Sequence, residues 1–412
     1  MNNFKNFSKN ELIRGGLILL ILLNVGNLVN YLFQFILARM LGPEDYAVLA
    51  VVTSMIYLFN VPTMSIQTVV SKYTTSFVVR KEFGKIKSLM GYLTKRILLI
   101  ALIAFILFSL LSLILTDLLK ISIGILIFTG LVLFGAFIYP IGIGILQGLK
   151  KFKSWGINFI LISIIKILIA VSLVLVGFRV YGAIVGFIAA NILGFLLILP
   201  EINNILKTHD GFKEKIKILN QQNIITFLAI LMITILYTLD VVLAKIFFKA
   251  ELVGQYAVLS MIGKMILFST MAISLAMFPI SSERFETGTK TKSIIKKSII
   301  LVSGLCLTAV LLFYFFPQII ISILFGMRYT SVGYLLVYVG IAFSFLSLLN
   351  LFILYKISIN TFKIKHLFVL GLFLVMQVAI LINLHQTIQD FSISFMFSTI
   401  ITFIGALILM RS

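Results

Sequence analysis

The chain has 412 residues, of which 61% are hydrophobic and 11% are charged, and its formal net charge is +21. Soluble domains carry about 25% charged residues. No segment here is polar enough to form the basic face of a nucleic-acid-binding domain, so nucleic acid is excluded as a partner. Apolar runs of about 20 residues recur along the whole sequence, and each is long enough to cross a bilayer as a helix. The composition predicts an all-α membrane protein with almost no soluble domain.

Twelve transmembrane helices are predicted from these apolar runs. Asn60-Val61-Pro62 is expected to break the second of them, because proline lacks the backbone N–H that continues a helix. The first six helices span roughly Gly15–Ala38, Tyr46–Ser71, Ile97–Thr116, Ile121–Leu146, Ile157–Val176 and Val180–Leu199. The second six span roughly Ile224–Phe247, Val253–Ile280, Ile299–Phe316, Val332–Tyr355, Leu367–Leu384 and Ile393–Leu409.

The Lys and Arg residues of the connections are distributed unequally between the two sides of the membrane. One side, which includes both terminal segments, carries 26 of them, and the other side carries 6. Cytoplasmic loops carry the excess of basic residues. The sequence therefore predicts a multi-pass protein of the cell (plasma or inner) membrane with both termini in the cytoplasm. The basic surface is also expected to attract anionic membrane lipids.

A short internal repeat indicates that the chain is duplicated. LAR and YAVLA at Leu37–Arg39 and Tyr46–Ala50 return as LAK and YAVLS at Leu243–Lys245 and Tyr256–Ser260. Six helices precede the second copy, so both halves enter the membrane in the same orientation. This arrangement predicts two parallel six-helix halves around a central cavity near the bilayer midplane. The predicted domains are an N-terminal half over residues 1–200, a cytoplasmic connecting segment over 201–222 and a C-terminal half over 223–412.

The first helix carries a polar stripe along one side. Asn24, Asn27, Asn30, Tyr31 and Gln34 fall within about 120° of one another at the helical spacing of 100° per residue. Lipid cannot satisfy amide groups, so this face is expected to look inward. Hydrogen bonding to neighbouring helices would account for the stripe. A wetted cavity wall that contacts sugar hydroxyls also accounts for it, and we favour this second interpretation because four amides exceed what helix packing usually needs.

Three charged residues fall clearly inside predicted helices, away from their last turn, where charge is costly and marks a cavity or a partner. Lys166 and Lys264 are each interpreted as a contact for the phosphate or uronic-acid groups of a substrate, or else as a packed or snorkelling lysine. Asp240 is interpreted as a residue that couples transport to Na⁺ or H⁺, or as the counter-ion of Lys264 or Lys245.

Two stretches carry a family resemblance. ARMLGPEDY at Ala38–Tyr46 resembles the signature that closes the first helix in polysaccharide flippases of the O-antigen type, in the multidrug/oligosaccharidyl-lipid/polysaccharide exporter superfamily. LDVVL at Leu239–Leu243, with VGQY at Val253–Tyr256, resembles the matching signature of the seventh helix, although Ile246-Phe247-Phe248 departs from it. The resemblance implies transport of a lipid-linked oligosaccharide from the cytoplasmic to the outer leaflet by alternating access of two halves.

Other functions fit the residues less well. No P-loop, HExxH motif, nucleophile elbow or metal-ligand spacing is present, so the sequence predicts a non-enzyme without cofactor or metal. A cation-coupled multidrug antiporter of the same superfamily is the main alternative, but it would need acids in the N-terminal half. A membrane glycosyltransferase or ligase would need carboxylates beside large outer loops. The favoured function is a flippase for a lipid-linked anionic glycan, with membrane lipids, Na⁺ or H⁺, and glycan-assembly enzymes as further candidate partners.

Overall fold

The computed structural model describes the backbone of residues 9–205 and 221–410, and every regular element in these two ranges is a helix. Most of the predicted connecting segment lies outside the described residues, at 206–220. The helices are α1 (Lys9–Phe59), α2 (Val61–Val79), α3 (Phe83–Leu119), α4 (Ile123–Gly148), α5 (Phe152–Leu173), α6 (Arg179–Ile205), α7 (Gln221–Phe247), α8 (Ala250–Glu286), α9 (Lys292–Phe315), α10 (Pro317–Leu324), α11 (Leu336–Ser358), α12 (Ile364–Asn383) and α13 (Ile388–Leu409).

The prediction of a multi-pass, all-α membrane protein is confirmed. Within the described residues, ten helical stretches are long and apolar enough to cross a membrane, against the twelve predicted. Eight of them correspond one to one to predicted helices. The other two, Ile21–Val79 and Phe152–Ile202, each cover a pair of predicted helices. Each contains a backbone break at the point where the sequence predicts a connection.

Both breaks occur at glycines in the left-handed region of backbone space. Gly42 has φ of 75° and divides α1 into a first and a second arm. Gly177 has φ of 101° and lies in the π-helical turn Val174–Phe178 that joins α5 to α6. Glycine tolerates positive φ because it has no Cβ, and Pro43 removes an N–H directly after Gly42. The predicted break at Asn60-Val61-Pro62 is confirmed, because α1 ends at Phe59 and α2 begins at Val61.

The described residues fall into two compact units. The first contains the first arm of α1 as far as Leu41, and then residues from Phe59 to the end of α6. Its apolar core is formed by α2, α3, α4 and α6. Glycines let α4 approach α2 closely, because a Cβ built on Gly144 would lie 2.7 Å from the Gln67 carbonyl oxygen. The two helices are also joined by a hydrogen bond of 2.9 Å between the amides of Gln67 and Gln147.

The second unit contains α7–α13 together with residues Gly42–Leu58, hereafter the 42–58 segment. In this unit α8 and α11 pack closely, since a Cβ built on Gly263 would meet the Phe343 ring at 2.3 Å. The 42–58 segment is deeply buried, with no exposed surface at Ala47, Leu49 or Val52. It precedes most of the first unit in the sequence, yet it belongs to the second unit by its contacts.

Candidate functional site

The first candidate site surrounds Lys166 on α5. The Lys166 ammonium donates a hydrogen bond to the Asn30 Oδ1 atom of the first arm of α1. The Asn30 Nδ2 group donates to Ser163 Oγ at 3.1 Å and to the carbonyl oxygen of Gly26 at 3.1 Å. Ser163 precedes Lys166 by three residues, so both side chains lie on the same face of α5. The Asn30 side chain therefore links the Lys166 ammonium to the Ser163 hydroxyl and to the backbone of α1.

Two aromatic rings complete this site. The Lys166 Nζ atom lies 4.4 Å from the centroid of the Phe33 ring and 4.8 Å from that of Phe187 on α6. The two rings are 5.0 Å apart in an edge-to-face arrangement. Desolvated cation–π contacts of this kind contribute about 2 kcal/mol or more. We call the set of Asn30, Phe33, Ser163, Lys166 and Phe187 the Lys166 box.

The Lys166 box holds a positive charge without an acidic partner. Lys166 is only 8% exposed, and it forms no ion pair with any carboxylate in the described part of the chain. A carbonyl oxygen and two ring faces solvate an ammonium only partly, and the cost of burying charge at membrane depth is about 2.5–3.5 kcal/mol on insertion scales. The box is consequently suited to an anionic ligand group.

The remaining residues of the predicted amide stripe are placed differently from Asn30. Asn24 and Asn27 are exposed, Tyr31 is half-buried with its ring stacked on Phe35, and Gln34 is 4% exposed. Among the stripe residues, Asn30 is the one that contacts Lys166. The stripe therefore combines one residue of the Lys166 box with side chains of very different accessibility.

The second candidate site surrounds Asp240 near the end of α7. The Lys264 ammonium lies 3.7 Å from Asp240 Oδ1 and donates a hydrogen bond of 3.0 Å to Ser260 Oγ. Ser260 Oγ in turn donates to Asp240 Oδ2 at 2.6 Å, and the Tyr256 hydroxyl donates to the same oxygen at 3.3 Å. We call these four residues the Asp240 cluster. Asp240 has no exposed surface and Lys264 is 3% exposed, so the pair is fully desolvated.

The spacing along α8 explains how the Asp240 cluster forms. Tyr256, Ser260 and Lys264 follow one another at intervals of four residues, which places them on one helix face opposite Asp240. Asp240 Oδ1 accepts no hydrogen bond from the described residues and is compensated by the Lys264 charge alone. Asp240 is therefore paired with Lys264 in the structure, and its interpretation as a residue that couples transport to Na⁺ or H⁺ stays a prediction.

Sequence reasoning missed several members of these two sites. Ser163 lies three residues before Lys166 on α5, and Phe33 lies three residues after Asn30 on α1. This spacing places each pair on one helix face, so it was an available signal. Ser260 and Tyr256 belong to the repeated YAVLS motif and stand four and eight residues before Lys264. No local signal indicates Phe187, which reaches the site from a different helix. Groups of three or more His, Cys, Asp or Glu that could hold a metal ion are absent from the described residues.

Comparisons with known proteins give one family and one fold. A family model described as polysaccharide biosynthesis protein matches residues 12–285. Among solved structures, an inward-facing multidrug resistance MATE family transporter of the MOP superfamily has a TM-score of 0.68 and 14% identity, covering 93% of this chain and 93% of its own. The lipid II flippase MurJ in an inward closed conformation has a TM-score of 0.65 and 13% identity, covering 95% of this chain and 88% of its own.

A third solved structure is a MOP-superfamily transporter from Pyrococcus furiosus described as having a binding pocket of reversed polarity. It has a TM-score of 0.57 and 14% identity, and the alignment covers 97% of this chain and 94% of that one. No curated protein sequence matches the chain. At these identities the structural matches establish a shared fold.

Proposed function

The chain belongs to the polysaccharide biosynthesis protein family, and we propose that it is a flippase that moves a lipid-linked anionic oligosaccharide from the cytoplasmic to the outer leaflet by alternating access. The family match and the transporter fold support the class of protein. The anionic substrate and the direction of transport are the specific parts of the proposal. Both termini are placed in the cytoplasm because 26 basic connection residues lie on their side of the membrane.

The Lys166 box is the observation that carries the proposal. Its ammonium is buried and lacks an acidic partner among the described residues. A neutral amide and two aromatic rings stabilise the positive charge instead. A phosphate or uronate group would supply the missing negative charge, and Asn30 could turn from the lysine to a sugar hydroxyl. An anionic substrate is therefore stabilised more in this site than a neutral one would be.

The Asp240 cluster has a separate role in the proposal. Its carboxylate and ammonium neutralise each other within the second unit, so it offers no net charge to a substrate. A buried acid–base pair of this kind can exchange a proton or an ion when its environment changes. We assign the coupling of transport to H⁺ or Na⁺, where coupling occurs, to this cluster.

The multidrug antiporter remains the alternative because some of the structural matches are multidrug transporters. A cationic drug would be bound by acidic or aromatic groups free of positive charge. The Lys166 box has the rings but also a buried ammonium between them. Repulsion between two cations at low dielectric opposes drug binding there, and this favours the flippase.

A transport assay with defined head groups tests the choice. Three fluorescent NBD-labelled lipids would be reconstituted with the full chain in liposomes: one with an anionic glycan head group, one with a neutral glycan and one with a quaternary ammonium. Dithionite, which does not cross the bilayer, reports arrival of the label in the outer leaflet. The proposal expects about tenfold faster transfer of the anionic probe than of the neutral one, as one ion-pair contact allows. Fastest transfer of the cationic probe would overturn it.

A further inference from the structure

A lysine in the second unit has little compensation for its charge. Lys356 lies in the last turn of α11 and is only 7% exposed. Its ammonium forms no hydrogen bond and no ion pair within the described part of the chain. A contact with the Phe352 ring, one turn earlier on the same helix, is long, with 5.8 Å between Nζ and the ring centroid. Cation–π attraction extends only to about 6 Å, so this ring stabilises the charge weakly.

The end of α11 does not supply the missing compensation. A lysine near the end of a helix usually gains from the last backbone carbonyl groups, where the dipole is negative. In α11 the following loop occupies these groups. The Lys356 carbonyl oxygen accepts from the Thr361 N–H at 3.0 Å, from Thr361 Oγ1 at 3.2 Å and from the Phe362 N–H at 3.2 Å. The Ile357 carbonyl accepts from the Asn360 N–H at 3.1 Å.

Positive charge gathers at the junction between α11 and α12. The start of α12 carries Lys363 and Lys365, which are both exposed, and the Lys365 charge repels the Lys356 ammonium. The N-terminus of α12 adds the positive end of a helix dipole. Residues 350–370 contain no Asp or Glu. The junction is therefore suited to an anion that comes from outside the chain.

An exposed apolar stripe begins at the same junction. Ile364, Phe368, Leu372 and Val375 of α12 are 58%, 75%, 62% and 64% exposed. Their spacing of four, four and three residues places them on one helix face. Because α12 is long and apolar enough to cross a membrane, this face is suited to an acyl chain. An anionic group at one end of an apolar chain is the chemistry of a charged lipid.

We propose that the junction of α11 and α12 binds the phosphate head group of an anionic phospholipid, with Lys356 and Lys365 at the phosphate and an acyl chain along the α12 stripe. The lipid belongs to the cytoplasmic leaflet, because both lysines are among the 26 basic connection residues on that side. This site goes beyond the proposed function, since phospholipid is present whether or not a glycan is transported. It lies entirely within the second unit.

Binding of defined lipids tests the head-group contact. The full chain, purified in detergent, is titrated with phosphatidylglycerol or with phosphatidylcholine of the same acyl chains, and bound lipid is counted by native mass spectrometry. We expect about tenfold tighter binding of phosphatidylglycerol, as one charge-assisted contact allows. Lys356→Met should abolish this preference, and Lys356→Arg should retain most of it. Lys296→Met is the matched control, because Lys296 is an exposed lysine of α9 in the same unit, and it should bind like the parent.

Two further measurements test the lipid assignment. Phe368→Ala shortens the apolar stripe, so it should weaken the binding of both phospholipids about equally. Excess inorganic phosphate should leave phosphatidylglycerol bound, because it lacks the acyl chain, and its displacement of the lipid would show a site for soluble anions instead. Lys356→Met should unfold at or above the parent temperature, since it removes a poorly compensated charge. An unchanged preference for phosphatidylglycerol in Lys356→Met, or an equal loss in Lys296→Met, would overturn the proposal.

Discussion

The Lys166 box and the Asp240 cluster each bury one lysine ammonium, but they balance its charge in different ways. Lys264 has a carboxylate at 3.7 Å and a serine hydroxyl that bridges to the same acid. Lys166 has an amide oxygen and two ring faces. The Lys264 arrangement has no net charge, whereas the Lys166 arrangement retains one positive charge. The ion pair with Asp240 stabilises the second unit, whereas we propose that the unpaired charge of Lys166 in the first unit binds the substrate.

The largest effect is expected from removing the acid of the complete pair. Asp240→Ala leaves the Lys264 ammonium buried without compensation, which typically destabilises a protein by about 3–5 kcal/mol. The thermal unfolding midpoint of the purified protein in detergent should fall sharply. Asp240→Asn combined with Lys264→Met removes both charges and should recover most of the loss. If the Asp240→Ala variant unfolds at the same temperature as the parent protein, Asp240 and Lys264 do not form a stabilising ion pair.

Lys166→Met provides the contrast on the same stability measurement. No acid in the described part of the chain loses its partner, so stability should stay the same or rise, because a costly buried charge is removed. A drop as large as that of Asp240→Ala would mean that the two sites do not differ in the way proposed.

A smaller effect is expected when the amide of the box is removed. Asn30→Leu deletes the acceptor of the Lys166 hydrogen bond, and hydrogen bonds to charged groups are worth about 1.5–3 kcal/mol. Transport of the anionic NBD lipid should fall about tenfold at normal protein level. Asn27→Leu is the matched control on the same stripe, since Asn27 is exposed and we expect its replacement to change transport less. If both variants, and the double variant, transport normally and only lose stability, the stripe is a packing feature.

The smallest effect is expected from removing an aromatic ring that contacts a buried lysine. Phe187→Leu keeps an apolar side chain in place but removes one cation–π contact of Lys166. In a double-mutant cycle with Lys166→Met, the coupling free energy for unfolding should be about 1–2 kcal/mol. Phe343→Leu with Lys264→Met is the parallel cycle, and its coupling should be smaller, because that ring lies 5.8 Å from an ammonium already paired with Asp240. Equal couplings would contradict the difference between the sites.

The helices were largely predictable because a bilayer imposes strict local rules. A crossing helix must be about 20 apolar residues long and must satisfy its own backbone. The predicted helix Ile224–Phe247 ends at the same residue as α7 (Gln221–Phe247) and begins within three residues of its start. Glycine and proline also act locally, and both Gly42 and Pro43 lie in the predicted connection between Ala38 and Tyr46, where the structure breaks α1. The break predicted at Asn60–Pro62 is likewise found.

The partners within each site were less predictable, because they depend on contacts between distant parts of the chain. The sequence indicated Asn30 and Lys166 separately, but their hydrogen bond crosses 136 positions. Two lysines were equal candidates for pairing with Asp240 until the structure placed Lys264 beside it. The packing of the 42–58 segment in the second unit had no local signal, since no periodicity within the segment specifies which helices it meets.

The charge at position 166 tests most directly whether Lys166 binds the anionic substrate. Lys166→Arg, Lys166→Met and Lys166→Glu would be compared at matched protein level for transfer of the anionic and the neutral NBD glycolipids. We expect Lys166→Arg to retain much of the anionic transport, Lys166→Met to lose about tenfold, and Lys166→Glu to lose nearly all of it by repulsion. The neutral probe should change little across the series. Normal anionic transport by Lys166→Met would contradict the assignment of Lys166 to the substrate.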